Sequence, residues 1–284
     1  MQEYFYGWYL KCQSEANTIG VIPAIHGTGK NKTCSIQLIT EDGAWNVEYP
    51  GNQLSKKRRS YIRIGRNYFC KKGFQLDIHT ADLSVCGKVR FGSLKPLKYS
   101  IMGPFEFLPF MECRHMVYSM RHSICGNLCI NGKNHELRHA LGYWEGDRGR
   151  SFPKEYAWTQ CMIPQGSIML SVADIPIAGW HFTGVIGIVL WKGIEYRFAT
   201  YLGARVLQKH AGKLLIRQGK MELEAYLIET AEQPLCAPVH GTMKRTIHES
   251  TSCKVFYRFA LNGQNVCSFV TVRASFEYEY NQRE

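Results

Sequence analysis

Apolar and polar residues alternate with a period of two along much of the chain. Within 266–278, most even-numbered positions carry apolar or aromatic side chains, whereas the odd-numbered ones include threonine, arginine and glutamate. Segment 221–227 alternates in the same way, with Glu222 and Glu224 at its polar positions. This period is that of a β-strand with one buried face. The pattern therefore predicts half-buried strands at both places.

Short turn signals separate such stretches. Asn-Gly pairs at 131–132 and 262–263 are strong hairpin signals, and "HAGK", "RQGK" and "WKGI" add further turns. Amphipathic helices are scarce, and the best short candidate is "SFPKEYAW", with Ser151 as cap and Pro153 in the first turn. Many strands with tight turns and little helix predict a mainly β fold of antiparallel sandwiches or barrels.

The length of 284 residues favours two barrels or sheets over one. Neither a repeat nor a Pro/Ser-rich linker marks a boundary, so the glycine-rich stretch 142–151 is the best candidate. We therefore predict an N-terminal unit over 1–148 and a C-terminal unit over 149–284.

The composition is typical of a soluble globular protein, with 45% hydrophobic and 20% charged residues. The 11 cysteines are scattered and follow no visible secretory signal, which predicts reduced thiols and a cytoplasmic location. The longest uncharged stretch, 175–191, is short for a membrane span and contains proline, glycine and histidine.

The formal net charge of +12 favours an anionic partner such as nucleic acid, a lipid surface or an acidic substrate. However, only "KKRR" at 56–59 forms a dense basic run, and no aromatic residues interleave there as in a single-strand binding groove. The charge is therefore better explained by basic residues spread over all faces. Nucleic acid is not predicted as a partner, whereas peripheral contact with a membrane stays open.

Several apparent motifs lack an essential part. Segment 26–33, "HGTGKNKT", lacks the first glycine and the final hydroxyl residue of a phosphate-binding loop. Cys125 and Cys129 have no second pair for a structural zinc site. His135 and His139 have helical ligand spacing but follow a hairpin turn and have no identifiable third ligand. No metal site is predicted.

Two acids, Glu145 and Asp147, lie among aromatic residues and glycines in "GYWEGDRGRSFPKEYAWTQ" at 142–160. If the strand after 131–132 is straight, its odd positions share a face, which the leucines make the better interior. We therefore expect Glu145 to point inward, while a glycine bulge that shifts the register would affect Asp147 more. This face carries His135, Leu137, His139, Leu141, Tyr143, Glu145 and Asp147.

A carboxyl group in an apolar cavity has its charged form disfavoured and can stay protonated near neutrality. Such a group suits the protonation of a weak base such as an alkene. The alternative is a structural acid paired with an arginine or histidine. A second polar cluster, 103–122, contains Glu112, His115 and His122 on faces that are not wholly apolar. It is either a strand that lines a partly polar cavity or an internal Glu–Arg–His network.

Five segments together resemble the tocopherol cyclase family, keep its order and cover nearly the whole chain. They are "YFYGWYLK", "IMGPFEFLPFMECRH", "GYWEGDRGRSFPKEYAW", "IPIAGWHFTGVIG" and "YRFATYLGA". The resemblance implies two lipocalin-like β-barrels packed around a lipid-sized cavity, and chroman-ring closure on a prenylated phenol. No metal or other cofactor is implied.

The related carotenoid hydratases carry a Y-x-D-H-N-x-G stretch, and "YWEGDRG" is similar to it. The resemblance implies that Glu145 takes the place of the proton-donating aspartate, with Asp147 as partner or alternate acid. Tyr143 takes the tyrosine position and would orient the acid. The predicted substrate-binding residues are Trp144 and Trp158, which can steady a carbocation by cation–π attraction, together with Glu112, His115, Phe152 and Gln160.

The sequence thus predicts an enzyme that protonates a double bond of a prenylated or polyene lipid. Capture of the cation by an internal hydroxyl group gives a ring, and capture by water gives an alcohol. The alternative is a non-catalytic carrier of a hydrophobic ligand. The sequence does not determine the oligomeric state.

Overall fold

The computed structural model describes residues 4–28, 31–57, 61–109, 111–177, 180–230 and 232–280. Parts of four segments singled out in the sequence lie outside the described residues: 29–30 of the loop 26–33, 58–59 of the basic run, 110 of "IMGPFEFLPFMECRH", and 178–179 of "IPIAGWHFTGVIG". Within the described ranges, almost all regular structure is β, and the only helical elements are three short 3₁₀ segments, Gly51–Gln53, Gly103–Phe107 and Thr200–Leu202.

Eleven strands form the first sheet, in the order β4-β3-β2-β1-β11-β10-β9-β8-β7-β6-β5. They are β1 (Tyr4–Gln13), β2 (Thr18–Thr28), β3 (Asn31–Thr40), β4 (Gly43–Pro50), β5 (Leu54–Lys57), β6 (Tyr61–Ile64), β7 (Asn67–Cys70), β8 (Gly73–His79), β9 (Ser84–Phe91), β10 (Cys113–Ile130) and β11 (Lys133–Gly149).

Ten strands form the second sheet, in the order β15-β14-β13-β12-β21-β20-β18-β17-β16, with β19 paired to β20. They are β12 (Glu155–Ile163), β13 (Gly166–Ile177), β14 (Trp180–Trp191), β15 (Ile194–Ala199), β16 (Arg205–His210), β17 (Lys213–Gln218), β18 (Met221–Glu229), β19 (Gln233–Val239), β20 (Thr242–Leu261) and β21 (Gln264–Tyr278).

The two edge strands of each sheet are consecutive along the chain. One 3₁₀ turn, Gly51–Gln53, joins β4 to β5, and another, Thr200–Leu202, joins β15 to β16. Each sheet therefore curls until its edges come close, which is the geometry of a barrel. The predicted class of antiparallel, barrel-forming β-sheets is confirmed.

Hairpin turns form where the sequence signals them. Asn131 and Gly132 both have positive φ, of 49° and 82°, and join β10 to β11. Asn262 and Gly263 do the same between β20 and β21. Two successive left-handed residues give the turn type whose twist matches that of the flanking strands.

The short helix predicted in "SFPKEYAW" is wrong. Residues 155–163 form β12, which pairs with β13 and β21, and burial of both faces of this strand outweighs the local helix signal. Ser151 does not cap a helix, because its Oγ accepts a hydrogen bond from the His240 backbone at 2.9 Å.

One predicted strand face is only partly right. In β21, Ala274 and Phe276 are buried as expected, but Val270 and Val272 are 52% and 59% exposed. The pairing of β21 with β20 slips between Cys253 and its neighbours, so the alternation changes face along the strand.

The chain divides into two compact units, each built from three segments. The first contains residues 1–97, 113–151 and 235–245, and the second contains 98–112, 152–234 and 246–284. The chain thus passes between units at 151–152, close to the boundary predicted at 148, and at four further places. Nowhere in the described ranges does a helix have the length and apolar character needed to cross a bilayer.

Candidate active site

A bulge in β11 decides which side chains share a face. His139 has a φ of 50°, and the pairing with β10 shifts in register near it. Leu137 and Trp144 therefore both face the core of the first barrel, although one number is odd and the other even. Tyr143 and Glu145 lie on the opposite face of the sheet. The expectation that they share a face with Leu137 is wrong, because a straight strand was assumed.

The face that carries Tyr143 and Glu145 is also buried. Relative exposures are 1% for Tyr143 and 5% for Glu145. The Tyr143 hydroxyl donates a hydrogen bond to Glu145 Oε2 at 2.5 Å. Burial, together with the neighbouring charge of Glu145, raises the pKa of Tyr143 well above its usual value. Tyr143 therefore keeps its proton and holds the carboxyl group in place.

His115 on β10 joins the two acids. In the antiparallel pairing it lies directly opposite Asp147, and its Nδ1 is 3.0 Å from Asp147 Oδ1 in a hydrogen bond. Its Nε2 is 3.1 Å from Glu145 Oε2, an ion-pair contact. Among the described residues this nitrogen has no aligned hydrogen-bond acceptor. The imidazole thus bridges the two carboxyl groups.

Burial by itself lowers the pKa of His115, but the charges of Glu145 and Asp147 outweigh burial and hold that pKa well above its usual value. At neutral pH the imidazole is therefore protonated on both nitrogens and positively charged. The two carboxyl groups differ in access to solvent, since the side chain of Asp147 is 20% exposed and that of Glu145 is 6% exposed. The arrangement connects a half-buried acid to a buried acid through a protonated histidine.

Cys113 extends this cluster at its more exposed end. Its thiol donates to Asp147 Oδ1 over 3.4 Å, and burial and the charge of Asp147 raise the pKa of the thiol well above its usual value. We call Cys113, His115, Tyr143, Glu145 and Asp147 the acid cluster. His115 was predicted to bind substrate; the structure places it between the two acids, and its contact with a substrate stays a prediction. Cys113 was not singled out from the sequence.

Strand β1 adds two residues that sequence reasoning missed. Tyr9 lies directly opposite Glu145, and Lys11 lies directly opposite Tyr143, on the same face of the sheet. Both are buried, and Lys11 is only 1% exposed. Lysine normally signals a solvated position, so only the register of β1 against β11 identifies this one.

The remaining predicted site residues lie elsewhere. Trp144 is in the core of the first barrel, stacked on Tyr118 with 4.6 Å between ring centroids. The second unit contains the predicted substrate-binding residues Glu112, Phe152, Trp158 and Gln160. Trp158 and Gln160 are buried in β12, whereas Glu112 and Phe152 are half-buried. Their roles stay predictions.

The acid cluster also has the composition of a metal site. One ligand atom each from His115, Glu145 and Asp147 lies within 4.8 Å of the others. Both ring nitrogens of His115 face a carboxylate, so a metal ion bound here would have to replace at least one of these two contacts. The His135–His139 pair is not brought together as ligands, because His135 Nδ1 contacts Asn17 Oδ1 at 3.1 Å while His139 is exposed.

Comparison with known proteins identifies the fold. No family model matches the chain, and no curated protein matches it. Among solved structures, kievitone hydratase from Nectria haematococca gives a TM-score of 0.59 at 8% identity, over 96% of this chain and 88% of that one. CghA with Sch210972 gives 0.62 at 10% identity, over 98% and 88%. An AttH candidate (NE1406) from Nitrosomonas europaea gives 0.61 at 9% identity, over 99% and 93%.

These likenesses agree with the lipocalin-like fold class predicted from the sequence. At identities of 8–10% they show a shared fold and leave the chemistry open. The resemblance to the tocopherol cyclase family stays a prediction.

Proposed function

We propose that the protein is an enzyme that protonates a carbon–carbon double bond of a hydrophobic prenylated or polyene substrate, with Glu145 as the acid. The observation that carries this proposal is the position of His115 between Glu145 and Asp147. A buried acid can act repeatedly only if it is reprotonated, and the bridging imidazolium provides that proton next to Glu145. No metal or redox group is needed for this chemistry.

The acid cluster accounts for every proton that the proposed reaction moves. In the resting cluster the proton lies on His115, between the carboxylates of Glu145 and Asp147. It moves from His115 to Glu145, which gives it to one alkene carbon. The π electrons form the new C–H bond, the neighbouring carbon becomes a cation, and Glu145 is again a carboxylate. An oxygen nucleophile captures the cation and releases a proton, which restores the cluster through Asp147, its most solvent-accessible carboxyl group.

Aromatic rings on the face of Glu145 suit a transient cation. Tyr9 lies opposite Glu145 on β1, and Tyr143 is two residues away on the same strand. The faces of such rings attract positive charge by about 0.5–2 kcal/mol. Trp144, which the sequence favoured for this role, lies on the other face of the sheet.

Cyclisation and hydration share this first step and differ in the nucleophile. The sequence segments that resemble tocopherol cyclases support capture by a hydroxyl group of the substrate. The likeness in fold to kievitone hydratase supports capture by water. Protonation of a carbon–carbon double bond is the step that cyclisation and hydration have in common, and it is the function proposed here.

Replacement Glu145→Gln tests the proposal, because glutamine keeps the size of the side chain but has no carboxylic proton. We expect turnover to fall by about 10²-fold or more, while binding of the same lipids is retained. Binding is followed by tryptophan fluorescence and product by mass spectrometry, over a panel of prenylated quinols and polyenes. The matched control is Glu136→Gln, at an exposed position of the same strand, which should leave both measurements unchanged.

Two results would contradict the proposal. If wild-type protein binds these lipids but converts none, and Glu145→Gln behaves identically, the protein is a carrier. If turnover survives Glu145→Gln and disappears in Asp147→Asn, the acid is Asp147 rather than Glu145.

A further inference from the structure

Strand β12 in the second unit buries both of its faces. Ala157 and Cys161 belong to the hydrophobic core of the second barrel. The alternate residues, Trp158, Gln160 and Met162, therefore lie on the opposite face of the sheet. All three are buried as well. A polar amide thus lies between two large apolar side chains of the same strand.

Gln160 is fully buried and unpartnered. Its relative exposure is 0%, and in the described part of the chain neither its Nε2 nor its Oε1 makes a hydrogen bond. The adjacent Thr159 behaves differently, since its hydroxyl bonds the Ser275 carbonyl at 2.9 Å and the Tyr257 hydroxyl at 2.5 Å. The threonine that faces the barrel core is thus fully hydrogen-bonded, whereas the amide of Gln160 on the opposite face is not.

An unpaired buried amide is unfavourable by about 1–3 kcal/mol in proteins. In the sheet, Gln160 lies directly opposite Met169 of β13 on one side and the buried Ser275 of β21 on the other. Ligand sites have this character, with apolar walls and a few polar groups that fix orientation.

We propose that Gln160 is a recognition residue for a hydrophobic ligand whose polar end presents one hydrogen-bond donor and one acceptor side by side. The amide offers a donor and an acceptor in one plane, so it pairs with a primary amide, a lactam or a protonated carboxylic acid through two parallel hydrogen bonds. A ketone or ester satisfies only one of the two atoms. The inference rests on the proposed function only in taking the ligand to be hydrophobic.

Two probes of the same shape distinguish a ligand that offers both a donor and an acceptor from one that offers only an acceptor. They are 4-geranylbenzamide, and 4-geranylacetophenone, in which a methyl group replaces the amino group. Dissociation constants are measured by calorimetry for wild type and for Gln160→Leu. We expect the ratio of the two affinities to change by about tenfold between the proteins, with wild type favouring the benzamide. An equal ratio in both proteins overturns the proposal, as does a wild-type protein that does not favour the benzamide.

A second variant, Gln160→Met, keeps the unbranched shape in case leucine disturbs the strand. Both variants should unfold at a higher temperature than wild type without ligand, because they remove an unpaired amide. A lower unfolding temperature with an unchanged affinity ratio would assign Gln160 a structural role and overturn the proposal. Glu145→Gln should keep the wild-type ratio. If the proposed catalysis is wrong, the affinity ratio still tests the role of Gln160. If the affinity ratio does not change in Gln160→Leu, the test of catalysis by Glu145 is unaffected.

Discussion

The hydrogen bond from Tyr143 to Glu145 is the shortest link in the acid cluster, and both side chains are buried. Removing the hydroxyl leaves a buried carboxyl group one donor short, which is unfavourable by about 1–3 kcal/mol. Tyr143→Phe should therefore lower the free energy of unfolding by this amount and reduce kcat, while KM changes little. Urea unfolding and steady-state kinetics measure the two effects.

The control for this substitution is Tyr226→Phe, at a tyrosine that is 43% exposed in the second unit. It should alter neither stability nor turnover. An unchanged kcat in Tyr143→Phe would show that the hydroxyl does not orient the acid.

The sequence places three members of the acid cluster together, names His115 as a site residue without its contacts to the acids, and does not single out Cys113. Tyr143, Glu145 and Asp147 follow each other at alternate positions, so any extended strand places them on one face. His115 and Cys113 are about 30 residues away, and their contacts depend on the register of β10 against β11. The pairing of these two strands shifts at three places between the turn at 131–132 and the acid cluster, and local sequence does not signal those shifts.

The bulge at His139 is the element on which the site depends. A one-residue change in register moves every side chain of a strand to the other face. Deletion of His139 should therefore turn Glu145 toward the barrel core and Trp144 away from it. A charged group in the core and a displaced tryptophan are not compatible with the fold, so we expect the deletion variant not to fold. Near-ultraviolet circular dichroism of the tryptophans reports the loss.

His139→Gly is the matched control, because glycine adopts the positive φ of this position without strain. It should keep the spectrum of the wild type and unfold at the same or a higher temperature. A deletion variant with a native spectrum would mean that the strand tolerates either register.

Among the elements, the turns are predicted correctly and the bulges are not, because turns depend on local residues and bulges depend on the pairing with a neighbouring strand. The turns at 131–132 and 262–263 form from two residues whose own backbone preferences specify them. The irregularities in β11 and β21 depend on how a neighbouring strand is paired. The alternation in 266–278 predicted that its apolar even positions share the buried face, yet Val270 and Val272 face outward.

For the whole molecule, the fold class follows from the sequence because period-two alternation recurs along the entire chain. The division into units does not follow in the same way. Segments 98–112 and 235–245 each belong to the unit opposite to that of their neighbours in sequence. Such exchanges depend on long-range packing, which no local composition records.

Two buried histidines of the first unit should make the free energy of unfolding depend on pH, one below about pH 6.5 and the other above it. Burial lowers the pKa of His122 to about 4, against about 6.5 unfolded. The unfolded chain therefore binds the extra proton first, and stability falls as pH drops from 6.5 toward 4, by about 3 kcal/mol in total. Urea unfolding between pH 4 and 7 should show this decline, and His122→Gln should reduce it. A decline of equal size in the variant would contradict the assignment.

His115 acts in the opposite direction, because Glu145 and Asp147 hold its pKa well above the unfolded value despite burial. Its stabilising contribution is fully present below about pH 6.5 and is lost as pH rises through the raised pKa. Stability of the wild type should therefore decline from neutral pH upward.

His115→Gln should be less stable at pH 6, since two carboxylates lose their shared cation, yet its stability should change less between pH 6.5 and 8.5. His139→Gln removes an exposed histidine from β11 and should keep the wild-type slope. If His115→Gln declines as steeply as wild type, the imidazole does not hold the proton that the proposed reaction draws on.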